Sequence, residues 1–215
     1  MGTLVEAKEG AVVLGGRTPH ELTLGKTAGL RVSLVHGQFY DAASRGQIFH
    51  GGIGGAGIAP GSALATTAQA LLLYNPIGSG VNVNILRFAH AYVSGTLGLG
   101  YWVMANYSTL QPGTNIAPGG TASVVHNANG DVGGNKALLW NAASCTAAPI
   151  FVEAFDWEGV LDGTGATQVG SSREFYFDGS CIAKPGTAKV FTYIGGTGTS
   201  PKVAVSARWE EIAIA

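Results

Sequence analysis

Short apolar runs separated by turns rich in Gly and Pro recur along most of this chain. The runs contain many β-branched and aromatic residues, and turn-forming residues such as those at 75–80 stand between them, which is typical of β-strands. They cover residues 71–74, 81–94, 99–107, 122–126, 137–140, 150–158, 174–177, 190–194 and 202–214. Eight or nine such strands predict an all-β protein, a β-sandwich of jelly-roll type.

Two of these runs also suggest how the strands are arranged. The turn at 75–80 joins the runs 71–74 and 81–94, which predicts a hairpin. In the last run, apolar and polar positions alternate, which predicts one buried and one solvated face and a place near the edge of a sheet. The apolar set is Val203, Val205, Ala207 and Trp209, and the set between them is Lys202, Ala204, Ser206, Arg208 and Glu210.

Charge is distributed very unevenly. Residues 46–130 carry a single charged side chain, Arg87, where roughly twenty are usual over such a length. Because charged side chains keep the surface of a monomer hydrated, we expect another copy of the chain to cover part of this segment. Arg87 is then expected to pair with an acid of another chain or to reach the rim of the interface.

The first 45 residues differ from the rest, with more charge and weaker alternation. Their basic residues are fairly evenly spaced: Lys8, Arg17, Lys26, Arg31 and Arg45. The prediction is an N-terminal arm or small subdomain at 1–45, extended in form, followed by one sandwich domain at 46–215.

Composition argues against several classes of partner. A formal net charge of −1 gives no basic cluster for nucleic acid. The most apolar window, 85–105, contains Arg87, His90 and several glycines, which is unsuitable for a membrane-spanning helix. The N-terminus lacks a secretory leader pattern, so we expect synthesis in the cytoplasm. Cys145 and Cys181 are expected to be buried thiols, although a disulfide between them stays open.

No cofactor, metal or catalytic site is predicted. The glycines at 52–57 match G-x-G-x-x-G, but Pro60 and Gly61 follow where a dinucleotide site needs a helix. The five His residues show no metal-ligand spacing, and His90 is expected in a core or interface beside Phe88 and Tyr92. Glu153 points to one face of its strand and Asp156 with Glu158 to the other, which favours solvation over catalysis. The four Trp residues suit a core or a subunit interface, with sugar stacking as the alternative.

Three segments resemble virion structural proteins of tailed bacteriophages: LLLYNPIGSGVNVNIL at 71–86, VSGTLG at 93–98, and GTSP at 198–201 leading to RWEEI at 208–212. The chain is most similar to small capsid decoration, or cement, proteins with a jelly-roll domain. The resemblance implies a non-enzymatic homotrimer that binds the outer surface of the major capsid protein and stabilises the head. Its location would be the capsid surface of the virion.

Within that role we expect two contact regions. The interface between identical chains is predicted to use Arg87, His90, Tyr92, Tyr101 and Trp102. The basic residues of the arm, Lys8, Arg17, Lys26, Arg31 and Arg45, are predicted to contact the capsid. The alternative is a binding module of a phage tail or fibre tip that recognises a host surface glycan, and an enzyme is the third possibility.

Overall fold

The structure, a computed structural model, describes residues 23–24, 30–31, 39–60, 64, 69–95, 100–108, 116–117, 121–145, 148–158, 172–195 and 200–214. The chain divides into two compact units, Met1–Gln38 and Phe39–Ala215. In the first unit, β1 (Thr23–Leu24) pairs antiparallel with β2 (Leu30–Arg31). The predicted arm at 1–45 lies largely outside the described residues, and its boundary at 45 stays a prediction.

The second unit is built almost entirely of strands. It begins with a short helix, α1 (Tyr40–Ser44), and the described ranges contain no helix long and apolar enough to cross a membrane. The strands are β3 (Ile48–Ile58), β4 (Leu71–Asn75), β5 (Val81–Ser94), β6 (Gly100–Ser108), β7 (Ile116–Ala117), β8 (Thr121–Ala122), β9 (Val125–Asn127), β10 (Leu138–Asn141), β11 (Ser144–Cys145), β12 (Phe151–Glu158), β13 (Ser172–Tyr176), β14 (Ile182–Ala183), β15 (Thr187–Gly195) and β16 (Lys202–Ala213).

Most of these strands form two antiparallel sheets packed face to face, and β7 pairs with β11 in a separate two-stranded sheet. The first sheet has the order β12-β6-β15-β4-β10-β8, and the second has the order β13-β5-β16-β3-β9 with β14 beside β5. Of the eight longest strands, the first pairs with the eighth, the second with the seventh, the third with the sixth and the fourth with the fifth. A long antiparallel ribbon rolled into two sheets is a jelly roll, which confirms the predicted fold class.

The space between the sheets is filled by large apolar side chains from both of them. Phe88 of β5 lies near its centre, stacked on Phe191 with ring centroids 4.5 Å apart and 5.7 Å from the ring of Trp102. These three side chains and Trp209 are completely buried. Burial of each such side chain contributes about 1.5–3 kcal/mol of hydrophobic free energy, so this cluster is a main source of stability.

The outer face of the first sheet is covered by the chain itself. Leu72, Tyr107 and Val190 point away from the core between the sheets, yet they are fully buried in a second apolar cluster. Cys145 of β11 and Leu64 belong to that cluster, and the hydroxyl of Tyr107 donates to the carbonyl oxygen of Leu64. This sheet therefore has no open outer face in the region of the cluster.

A buried carboxylate connects the end of β16 to the chain that leads into β10. Glu211 is 6% exposed. Its carboxylate accepts hydrogen bonds from the backbone N–H groups of Lys136 (2.8 Å) and Ala137 (2.9 Å) and from the indole N–H of Trp209 (3.2 Å). These donors satisfy a charge that would otherwise be costly to bury.

The predicted hairpin between the runs 71–74 and 81–94 is wrong. β4 lies in the first sheet and β5 in the second, because consecutive long strands of a jelly roll can alternate between its sheets. The turn between them is instead held by Asn75, whose side-chain amide donates to the carbonyl oxygens of Val81 (2.8 Å) and Ala183 (2.9 Å).

The predicted edge position of the last run is also wrong. β16 lies between β5 and β3, within its sheet. The alternation itself is confirmed, since Val203, Val205, Ala207 and Trp209 are all buried. Alternation reports that one face of a strand is buried, and interior and edge strands of a sandwich share that property.

Candidate binding face

The outer face of the second sheet carries a row of basic side chains on four neighbouring strands. Strand register places His126 of β9 opposite His50 of β3, His50 opposite Arg208 of β16, and Arg208 opposite Arg87 of β5. Tyr176 of β13 follows opposite Arg87. Directly opposite residues on one face have neighbouring side chains, so the row is continuous across the sheet.

Beside this row the sheet surface consists of small residues. The next positions outward along the strands are Gly52, Ser206 and Ala89, which are paired in register, and Ala204 with Ala91 follow. The missing side-chain bulk leaves a concavity of about 730 Å³ between the row and Ser172, Arg173 and Glu174 of β13. We call the row and this floor together the basic face.

At one end of the row, Arg87 is held by an acid of its own chain. Nη1 of Arg87 lies 2.8 Å from Oε1 of Glu174, and the hydroxyl of Tyr176 donates to Oε2 of the same carboxylate at 2.7 Å. The Tyr176 hydrogen bond and the charge of Arg87 lower the pKa of Glu174. Arg87 therefore pairs with an acid of its own chain, which register on β5 and β13 brings close to it. The alternative expectation, that Arg87 reaches the rim of an interface, stays a prediction.

The middle of the row carries the guanidinium of Arg208, whose charge also contributes to lowering the pKa of Glu174. Arg208 is exposed and has no ion-pairing carboxylate among the described residues. Its neighbour His50 stacks on His126 with ring centroids 5.9 Å apart and an interplanar angle of 20°. Partial burial, followed by the charges of Arg208, His126 and Arg87, lowers the pKa of His50. The arrangement suits an anionic group, which would offset the charge concentrated there.

The other residues predicted for an interface between chains have different environments. His90 and Trp102 are 3% and 0% exposed and stack on each other in the core, with ring centroids 4.3 Å apart. Packing within one chain therefore accounts for both. Tyr92 is half-buried against the core and its hydroxyl donates to the carbonyl oxygen of Gly95, whereas Tyr101 is exposed on β6.

Most of the predicted capsid-contact residues cannot be placed. Lys8, Arg17 and Lys26 lie outside the described residues, and only the backbone of Arg31 is described, in β2. Arg45 follows the last residue of α1 and is exposed. The contact of these residues with a capsid stays a prediction.

The remaining sequence candidates are also dispersed. Among the described residues, no group of three or more His, Cys, Asp or Glu side chains could hold a metal ion. Cys145 and Cys181 are free and buried, and burial raises the pKa of their thiols to about 12 and about 11. Glu153 is exposed on β12, and the side chains of Asp156 and Glu158 lie outside the described residues. The glycines of the G-x-G-x-x-G match lie within β3.

The basic face as a whole was not predicted as a site, although Arg87 was assigned to an interface between chains. Arg208 was assigned to the polar face of its strand, which is correct, but His50, His126 and Glu174 were not connected with it. The available signal was the alternation within each strand. Which residues lie opposite one another depends on register between strands distant in sequence, and no local pattern gives that.

Comparison of the chain with protein-family models, curated proteins and solved structures found no match.

Proposed function

We propose that this protein is a non-enzymatic structural protein of a virion, a homotrimeric capsid decoration protein that binds the outer surface of the major capsid protein and stabilises the head. The observation that carries the proposal is the jelly-roll pairing order. The segments that resemble decoration proteins supply strands of that roll, since 71–86 covers β4 and the start of β5, and 208–212 lies in β16.

Self-association is supported by the edge of the first sheet. β12 is the outermost strand on its side. It begins with two largely exposed apolar residues, Phe151 (54%) and Val152 (40%), and the exposed Ile150 (59%) directly precedes it. An uncovered apolar edge strand is a ready surface for another chain. A second copy of this chain is the partner that we propose for it.

Sedimentation velocity at micromolar concentration tests the assembly. We expect a trimer, and we expect Phe151→Lys to shift the protein towards monomer by placing a charge in the apolar contact. Ile77→Lys is the matched control, because Ile77 is 68% exposed on a turn away from that edge. A wild-type protein that sediments as a monomer would contradict the homotrimer.

Labelling tests the place of the protein in the particle. Gold-labelled antibody against this chain, applied to virions of the phage that encodes it, should decorate the head shell. Purified protein should also co-sediment with heads that lack it, and deletion of residues 1–45 should weaken that binding if the arm contacts the capsid. Label confined to the tail would refute the decoration role.

A tail or fibre-tip module that recognises a host glycan is the second candidate. The observation in its favour is the basic face, a concave surface with polar groups and a volume in the range of small-ligand sites. Saturable binding on a glycan array, together with gold label at the tail, would favour this candidate over the first.

A further inference from the structure

The described residues that line the basic face include more arginines than carboxylates. Three arginines border the concavity, Arg87, Arg173 and Arg208, but Glu174 is the one carboxylate among the residues that line it. Glu174 is already bonded to Arg87 and to the hydroxyl of Tyr176. The guanidinium of Arg208 thus stays available in the middle of the row, with His50 and Arg87 on either side of it.

The size of the concavity favours a small ligand over a protein surface. Its volume of about 730 Å³ falls within the range of about 300–1,000 Å³ of small-molecule sites, whereas a protein partner needs about 800 Å² of matched surface on each side. The floor has no bulky side chain at Gly52, Ser206 or Ala89. A six-membered ring about as wide as one strand spacing, about 4.8 Å, can therefore approach the sheet closely.

The groups around the floor match an acidic sugar. The planar guanidinium of Arg208 can bind a carboxylate through two parallel N–H donors. The stacked rings of His50 and His126 offer flat surfaces next to it, and the hydroxyl of Ser206 can donate to or accept from a sugar hydroxyl. The row from β9 to β13 spans four strand spacings, or about 19 Å, which is long enough for a short chain of sugars.

We propose that the basic face binds an acidic sugar, with the carboxylate held by Arg208 beside His50 and the ring resting on the floor of small residues. The inference rests on the second candidate function, glycan binding, and is independent of capsid binding. It adds the class of glycan, a uronic acid, and the residues that select it.

The test is titration of the full-length protein with trigalacturonate at low ionic strength. Calorimetry measures the binding, and NMR spectra record the ring resonances of the His side chains during the titration. We expect saturable binding that shifts the signals of His50 and His126, and no binding of the neutral trisaccharide maltotriose. Arg208→Ala should weaken binding at least tenfold. Lys184→Ala removes one positive charge from an exposed position outside the face and should leave binding unchanged.

A second variant separates shape from charge. Ala89→Val keeps every charge of the face but fills the floor, and it should also weaken trigalacturonate binding. Absent binding, or equal affinity in the wild type and Arg208→Ala, would overturn the inference. Binding of a triglutamate peptide in place of trigalacturonate would overturn it too and point to an acidic protein partner.

The glycan array distinguishes failure of the acidic-sugar inference from failure of glycan binding, the candidate function on which the inference rests. If neutral glycans bind the array saturably while uronic acids do not, the acidic-sugar inference fails and glycan binding stands. If no glycan binds, both fail.

Discussion

Glu211 is a buried acid whose surroundings decide its role. Its two oxygens face backbone N–H groups of Lys136 and Ala137 and the indole N–H of Trp209, all of which are donors. A carboxylate can accept all of these hydrogen bonds, whereas an amide turns one NH₂ group towards them. Glu211 therefore connects the second sheet to the start of β10 because its carboxylate accepts hydrogen bonds from both.

Glu211→Gln should lower the free energy of unfolding by about 2 kcal/mol, because hydrogen bonds to a charged group are lost and one buried donor meets another. Glu210→Gln, one position away and half-buried, should change it by less than about 0.5 kcal/mol. Urea denaturation of the three proteins gives the comparison. Equal midpoints for both variants would show that the Glu211 contacts contribute nothing to stability.

His50 should make stability depend on pH. Its pKa is lowered in the folded protein, first by burial and then by Arg208, His126 and Arg87. The unfolded chain, with the ordinary His pKa of about 6.5, then binds the proton more tightly than the folded one. As the pH falls below about 6.5, the free energy of unfolding should decrease more steeply in the wild type than in His50→Gln. Above about pH 6.5, the two proteins should show the same pH dependence. Parallel denaturation profiles from pH 5 to 8 would contradict this.

Sequence patterns predicted the environment of a residue well where burial determines it. They predicted it poorly where the environment depends on a partner that is distant in sequence. The apolar positions of the last run, such as Trp209, are buried as expected. The partner of Arg87 was sought in another chain, but it is Glu174, 87 positions away in the same chain. For Trp102 and His90 the sequence left a core and an interface as alternatives, because aromatic side chains suit both, and the structure buries the two residues within the chain.

Among the elements, β3 departs most from ordinary strand composition. Between its pairs Ile53–Val205 and Ile58–Val203, five residue steps of β3 lie opposite two steps of β16. Gly55 and Gly57 in this bulge have positive φ angles of 60° and 64°, a conformation that side chains with a Cβ rarely adopt. Its glycines allow both the bulge and a close approach to β16.

Gly52→Ala should destabilise the protein by about 1–3 kcal/mol through overpacking. A Cβ at this position would lie 2.4 Å from the carbonyl oxygen of Val205 and 2.6 Å from Cα of Ser206, which are backbone atoms with little freedom to move. Gly55→Asn is the control, because nothing lies within 4 Å of that Cβ and Asn tolerates positive φ. Thermal unfolding should show a lower midpoint for the first variant and little change for the second.

The same glycines explain why β3 was absent from the predicted strands. Gly weakens the strand signal, so the segment with Gly51, Gly52 and the bulge reads as a loop. The pairing with β16 that makes it a strand involves residues about 150 positions away. By contrast, runs rich in Val, Leu and aromatic residues were predicted to within a few positions, as for β5, predicted and found at 81–94.

For the whole molecule, the second unit should fold without the first. The sandwich and both of its cores lie within Phe39–Ala215. A chain that starts at Phe39 should keep the circular dichroism of a β protein and a thermal midpoint within about 2 °C of the full chain. A lower midpoint by ten degrees or more would show that residues 1–38 are needed for the stability of the sandwich.

The fold class followed from the sequence because spacing of turns and strands is a local property. The face proposed to bind a ligand did not, because it exists only after β9, β3, β16, β5 and β13 have come together in register. The charge-poor stretch at 46–130 is partly explained by burial, since it supplies β4, β5 and β6 with their core residues. In the proposed homotrimer, another copy of the chain would cover part of the rest.

The central place of β16 has a consequence for how the protein is made. Of the described strands it is the last to leave the ribosome, yet β3 and β5, made much earlier, reach each other only through it. Until β16 has been synthesised, β3 and β5 each have an unpaired edge, and the second sheet cannot form completely. Because the sheet depends on long-range contacts that form late, we expect slow folding. A chain that ends before Lys202 would leave β3 and β5 with unpaired edges in the middle of the second sheet.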